Sequence, residues 1–231
     1  MDDGEMLTFA TRTEAAYARL REDILAGILK PGEKLRLERL RQSYSYGLSS
    51  LREALSKLSS ERLVRTTGQR GYWVEQISRE EFQDITRMRL VLEPQALEWS
   101  IGNATPEWEA KVEGAYRQLV EIEASLDKDR ERLSRAWDEE NRAFHRALIY
   151  NCGSDWMLRF VTMLIEQSER YRRQAVAQSA IAKEVLQSEH KAIHDAALAR
   201  QGRLAAELLR VHISNSAQSL QKKLFQDEQI R

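Results

Sequence analysis

The chain has 231 residues, 42% hydrophobic and 31% charged, with a formal net charge of zero, enough for one large domain or for a small one joined to a medium one. No run of about 18 apolar residues occurs, so nothing is expected to span a membrane, and the acidic, polar start MDDGEMLTFATR lacks the apolar middle of a signal peptide. The single cysteine, Cys152, excludes an internal disulfide and fits a reducing cytoplasm; it reads as a small buried residue rather than a nucleophile.

The charge is unevenly spread. Between Arg12 and Val74 there are thirteen Lys or Arg and seven Asp or Glu, while the first eleven residues hold only the acids Asp2, Asp3 and Glu5. A basic head on a mildly acidic body suits polyanion binding by the head and another task for the body. Three segments follow: a loose arm over 1–11, a head over 12–76 and a body over 77–231.

In the head, Thr11 or Thr13 can cap a first helix running to about Ala26, with Tyr17, Leu20, Ile24 and Leu25 on one face. Gly27 ends it, and Leu29-Lys30-Pro31-Gly32 is a turn. A second short helix points Leu37, Leu40 and Tyr44 inward. Gly47 is expected to permit a sharp turn, and Ser49 to cap a third helix over 50–61 whose stripe is Leu51, Ala54, Leu55 and Leu58. Ser49, Ser50, Arg52, Ser56 and Lys57 are left for the exposed side. Two short helices about a tight turn, the second opening on small polar and basic residues, form the geometry that enters a major groove. Leu63 and Val64 then lead through Thr66-Thr67-Gly68-Gln69-Arg70-Gly71 to Tyr72-Trp73-Val74, a two-stranded ribbon with a basic tip.

The run PGEKL, the spacing to LREAL, then ERLV and the closing RGYWV resemble the GntR family of bacterial transcription regulators over residues 12–75. The resemblance implies a winged helix-turn-helix that binds duplex DNA. It assigns DNA contacts to Ser49, Ser50 and Arg52 on the recognition helix and to Arg70 and Gly71 in the wing. Arg36 or Arg39 on the preceding helix is a candidate phosphate contact. Gly47-Leu48 stands where many members have Ser-Arg, so one arginine contact is missing and the operator sequence is expected to differ.

The body shows no strand-like alternation. It reads as a bundle of six or seven amphipathic helices. The first starts at Ser78, with Glu81 in capping-box position, points Ile85, Met88, Leu92 and Leu97 inward, and meets Pro94, which is expected to kink or break it. The second starts at Thr105-Pro106. The third spans about 133–150 and stops at Asn151-Cys152-Gly153-Ser154. Ser154 caps a long fourth helix, a fifth covers about 182–199, and Gln201-Gly202 separates it from a sixth. The fold class is therefore mainly α: an N-terminal winged helix-turn-helix and a C-terminal all-α bundle.

Only four histidines occur: His145, His190, His194 and His212. Asn141 and His145 share a helix face at i and i+4, and His190 and His212 lie on later helices. A bundle could bring three imidazoles to one point, and neutral imidazole suits Zn²⁺ or Ni²⁺; spacing alone nevertheless favours surface or satisfied core roles for them. The stretches NRAFHRAL and SEHKAIHDAALARQGRLAAELLRVHI, with Arg89 and Glu93 upstream, resemble the FCD effector domain of the FadR-type branch over about 78–223. The resemblance implies a homodimer that answers to a small carboxylate effector, and a divalent metal held by Asn141, His145, His190 and His212. Asn141 stands where many members have Asp, which weakens a dication site. Arg89 matches the position that anchors the acid, although a pairing with Glu93 one turn on explains it equally. His194 lies outside the pattern and reads as helix surface. Two rival classes remain: a metalloenzyme built on the bundle, which lacks a paired E-x-x-H, a phosphate loop and a nucleophile elbow, and a protein-interaction module using the winged head.

Overall fold

The computed structural model describes residues 11–67, 71–125, 130–176 and 183–225. The chain forms two compact units, residues 1–77 and 78–231.

In the first unit α1 (Arg12–Leu25) opens on a capping box: the Thr11 hydroxyl accepts from the Glu14 N–H, and the Glu14 carboxylate accepts from the Thr11 N–H. Both orphan donors are thereby satisfied. A short strand β1 (Lys34–Leu35) precedes α2 (Leu37–Tyr44) and α3 (Leu48–Ser60). The stripe Leu51, Ala54, Leu55 and Leu58 is fully buried against α1 residues such as Leu20 and Leu25, as a 3.6-residue period requires.

Two local expectations are corrected. The left-handed residue between α2 and α3 is Ser45 at φ 57°, while Gly47 is extended at φ −65°. Ser45 terminates α2, so the reversal falls there. Ser49 is not the cap either; α3 starts on Gly47 without a side-chain cap, and Ser49 lies in the first turn. The wing is β2 (Val64–Thr66) paired antiparallel with β3 (Tyr72–Val74), and β1 pairs with the other edge of β3. Trp73 on the central strand lies between the cations of Lys34 and Arg65, at 5.0 and 5.6 Å. Gly32 at φ +78° holds the turn before β1, where a side chain would collide with Gln76.

The second unit consists, among the described residues, of six helices: α4 (Arg79–Gly102), α5 (Pro106–Ser125), α6 (Arg130–Ile149), α7 (Asp155–Val176), α8 (Lys183–Leu198) and α9 (Gly202–Leu224). Ser78 caps α4 by accepting from the Glu81 N–H. Helix α4 runs unbroken through Pro94. Proline cannot donate to the carbonyl four residues back, and that carbonyl, Leu90 O, instead accepts from Arg210 Nη1 of α9 at 2.7 Å. Met88 is 40% exposed rather than inward. It lies more than a quarter of the way round α4 from the line of Phe82, Arg89, Glu93 and Ser100 that faces the interior. The core includes Leu97, Trp108, Phe144, Leu148, Ile165 and Ile193, together with Cys152. Trp108 ties α5 to α6 by donating to Leu148 O at 3.2 Å.

Candidate functional site

Helices α6, α8 and α9 bring His145, His190 and His212 together. One ring nitrogen from each lies within 4.8 Å of the others, and all three residues are buried. The rings of His145 and His212 stack with centroids 5.3 Å apart, and His190 lies 4.7 Å from His212. Phe144, next to His145 on α6, sets its edge against His145 and His190.

Two of the three imidazoles have a hydrogen-bonded carboxylate behind them. Glu123 of α5 lies 2.8 Å from Nδ1 of His190 and also accepts from the Trp137 indole at 3.3 Å. Glu189 lies 2.8 Å from Nδ1 of His212 and is steadied by Asn215 at 2.6 Å. Glu93 stands 3.7 Å from Nδ1 of His145, beyond hydrogen-bond range. A carboxylate on Nδ1 keeps the proton there and leaves Nε2 as a lone-pair donor. His190 Nε2 is buried without a hydrogen-bond partner.

Burial, reinforced by the other two rings, pushes the His145 pKa well below its ordinary value. Burial also lowers His212, to about 4, against the opposing hydrogen bond to Glu189. Burial would raise Glu189, but its hydrogen bonds from His212 and Asn215 outweigh that and hold it low. Three buried rings, with His145 and His212 held neutral by burial, an orphaned nitrogen on His190 and nearby carboxylates match the donor chemistry of a borderline dication such as Zn²⁺ or Ni²⁺. Asn141, one turn before His145, is buried and faces the same space.

Arg89, Asn141, His145, Arg172 and His212 line one cavity, together with the apolar side chains of Trp137, Leu186, Ile213 and Leu220. Its free volume is about 20 Å³, room for a water or an ion. Arg89 is clamped: Nε and Nη2 donate to Glu93 and Nη1 donates to Ser168 at 3.1 Å. Arg172 of α7 donates from Nε to Asp138 at 3.1 Å. Burial raises Asp138 to about 6 against the pull of Arg172.

The other expected residues fall as follows. His194 is not on the surface: it is 8% exposed, lies 2.8 Å from Glu113 and stacks on Tyr116 at 4.0 Å. It takes no place in the histidine cluster. Tyr171 is fully buried and donates to Glu81 at 2.7 Å. In the first unit Ser49, Arg52, Arg36 and Arg39 are exposed and Ser50 is half-buried. Arg39 stands 3.8 Å from the Glu33 carboxylate, whereas Arg52 and Arg36 pair with no carboxylate among the described residues. Lys57 rests over the Tyr17 ring at 3.8 Å. Gly71 takes φ +114°, a conformation that favours glycine; Arg70 lies outside the described residues.

Sequence reasoning missed Glu123 and Glu189 as partners of the histidines; it weighed Tyr171 and Arg172 as lining of the same cavity but favoured core and surface roles, and of the two Arg172 lines the cavity. Glu189 adjoins His190 but serves His212, so adjacency would have misassigned it. Glu123 lies 67 positions from His190 and carries no local signal. The run Arg170-Tyr171-Arg172-Arg173, buried throughout, is the one hint the sequence offered, because clustered arginines on an inward face need partners or a ligand.

Comparison with known proteins bears on both units. Residues 12–74 match the profile of bacterial regulatory proteins of the gntR family, and residues 84–215 match that of the FCD domain. An uncharacterized HTH-type transcriptional regulator, BphR of Paraburkholderia xenovorans, is 40% identical over 88% of this chain and 82% of its own. The HTH-type transcriptional repressor GlaR of Escherichia coli is 36% identical over 85% and 90%. Among solved structures, E. coli McbR/YncC superposes with a TM-score of 0.72 at 19% identity, covering 93% of this chain and 99% of that one. A putative transcriptional regulator GntR from Rhodococcus sp. RHA1 gives 0.71 at 19% identity, covering 90% and 97%.

Proposed function

The chain belongs to the GntR family of bacterial regulatory proteins, in the group carrying an FCD domain, and from that premise we propose that two copies grip a near-palindromic DNA operator and let go when a small carboxylate enters the helical unit. The chain is a transcription regulator and not an enzyme. The repressor sense follows the name of the E. coli relative.

The observation that carries the reading is an exposed recognition helix in one unit and, in the other, a buried cluster of three histidines beside an arginine. On α3 the apolar stripe is spent on the core, so Ser49, Ser50 and Arg52 are left to read or position against the duplex. Arg36 or Arg39, and Arg70 with Gly71 in the wing, add phosphate contacts whose affinity falls with salt. A dimer matches the two-fold symmetry of an operator. Helix α7 offers apolar surface for it, since Trp156, Phe160 and Met163 are exposed at i, i+4 and i+7.

In the helical unit Asn141, His145, His190 and His212 would hold the ion, Zn²⁺ or Ni²⁺. Bound there, it supplies a positive charge that attracts a carboxylate oxygen. Arg89 supplies the planar guanidinium that suits the same carboxylate. About 20 Å³ of free space does not admit an organic acid, so binding must move side chains on the helices that line the cavity. That displacement couples the site to the heads, and its effect is bounded by the acid's differential affinity for the two arrangements.

The test is selection of bound duplexes from fragmented genomic DNA, then titration of the enriched duplex. The expected site has two related half-sites, and Arg52→Ala weakens binding by about 1–3 kcal/mol. His145→Ala is expected to keep DNA binding while losing bound metal and the response to acid. Failure to enrich any duplex, or an unchanged titration for Arg52→Ala, overturns the reading.

A further inference from the structure

We propose that Glu93 is a carboxylate with two alternative partners, Arg89 and His145, so that an anion taking over the Arg89 guanidinium tightens metal at the histidine cluster. This rests on the reading of the cluster as a metal site and of the cavity as an effector site.

The three histidines are not served alike. Glu123 stands 2.8 Å from Nδ1 of His190, and Glu189 stands 2.8 Å from Nδ1 of His212. His145 Nδ1 is buried without a hydrogen-bond partner, and the Glu93 carboxylate is 3.7 Å away. Arg89 is what holds Glu93 off. Its Nε and Nη2 donate to the two Glu93 oxygens, while its Nη1 is fixed to Ser168 of α7 at 3.1 Å. Oε2, the Glu93 oxygen that approaches His145, is also the one that Arg89 holds by a long bond of 3.3 Å. The Glu93 side chain is 1% exposed, so solvent offers neither group a substitute, and an unpaired buried ring nitrogen is costly. Closing about 0.8 Å, from 3.7 Å to ordinary hydrogen-bond length, gives His145 the carboxylate that the other two rings already have.

An incoming carboxylate suits the same guanidinium fork, and about 20 Å³ of free space does not admit it unless something yields. Glu93 is the group that such a ligand duplicates, and two like charges on one fork repel in a buried site. Displaced from Arg89, Oε2 turns to His145 Nδ1. A carboxylate there keeps the proton on Nδ1 and makes the other ring nitrogen a stronger donor. Acid and metal then favour each other, by the same factor in both directions.

The experiment is chelator competition for Zn²⁺ on the full-length protein as parent, Glu93→Gln, Arg89→Gln and the double variant. Arg89→Gln releases Glu93 with no acid present. It is expected to tighten zinc by about tenfold in the parent background and by less than about threefold when Glu93→Gln is also present. Loss of a cation near a dication acts in both backgrounds, so the difference isolates Glu93. Parent and Glu93→Gln are then measured in acetate, butyrate or succinate against chloride at equal ionic strength. Some acid should tighten zinc by about tenfold in the parent and by less than about threefold in Glu93→Gln, where only direct attraction between acid and metal is left. The acid arm needs no Arg89 variant and decides if Arg89→Gln does not fold. Shifts as large without Glu93 as with it overturn the exchange. A Glu93-dependent gain from Arg89→Gln, with no acid effect in the parent, keeps the two partners of Glu93 but overturns an acid as the trigger, and the effector reading with it. Absence of zinc binding by the parent removes the metal reading and this proposal together.

Discussion

Replacing Glu123 by Gln tests whether the carboxylates behind the histidines tune a metal site or only fill the core. Glu123 is 1% exposed; one oxygen serves His190 Nδ1 at 2.8 Å and Trp137 Nε1 at 3.3 Å, and the other has no partner. The amide oxygen of Gln can keep both of these hydrogen bonds, so the change removes chiefly the negative charge that makes His190 a stronger donor. Loss of an outer partner lowers metal affinity by about 10–100-fold. With the hydrogen bonds kept, the lower end applies, about tenfold or 1.4 kcal/mol. Glu123→Leu, which strands the His190 N–H and the indole N–H, should approach the upper end, about 100-fold. Without metal, Glu123→Gln should unfold within about 1 kcal/mol of the parent, because a buried charge with an unsatisfied oxygen contributes little net stability. The assay is competition with a chelator for Zn²⁺, run beside denaturant unfolding of the metal-free protein. Equal zinc affinity in parent and both variants would refute the argument, as would a loss of metal-free stability large enough to explain the whole effect.

Further predictions concern pH, the head and α4. In the metal-free protein an unfolded histidine takes up its proton near its ordinary value of about 6.5, whereas folded His212 waits until about 4 and His145 until lower still. The unfolded state therefore binds more protons below about 6.5, and stability should fall with falling pH by up to about 1.4 kcal/mol per unit for each ring. Asp138, raised to about 6, binds its proton earlier in the folded state and offsets about one ring from pH 6 downward. Asp138→Asn should steepen the slope and His212→Asn should flatten it in urea titrations between pH 7 and 5; the opposite order would refute both assignments. Ser45→Gly relieves an exposed left-handed residue at φ 57°, so thermal unfolding should show about 0.5–1 kcal/mol of added stability. Arg210→Met strands the Leu90 carbonyl that Pro94 cannot serve. With the Arg210 side chain 47% exposed, water replaces part of the bond and the expected loss is about 0.5–1 kcal/mol, read from denaturant midpoints.

What the chain carried in local spacing was legible before any coordinates. The Leu51, Ala54, Leu55 and Leu58 stripe, the Ser78–Glu81 cap and the shared face of Asn141 and His145 follow from a helical period that neighbouring residues define by themselves. The arrangement of helices around the wing and the family resemblance were likewise written in short motifs. Tertiary structure alone decided which turn residue is left-handed, that His194 is buried, that Arg210 completes the α4 ladder, and that Glu123 and Glu189 stand behind the histidines. Each of these joins residues far apart in the chain or depends on the rotation of one helix against another. A period of 3.6 residues sets a side chain's direction on its own helix and says nothing of what comes to meet it. Arg172 shows the difference: its sequence position allows a cavity role but favours a core or surface one, and only the packing of α7 sets it in the cavity wall.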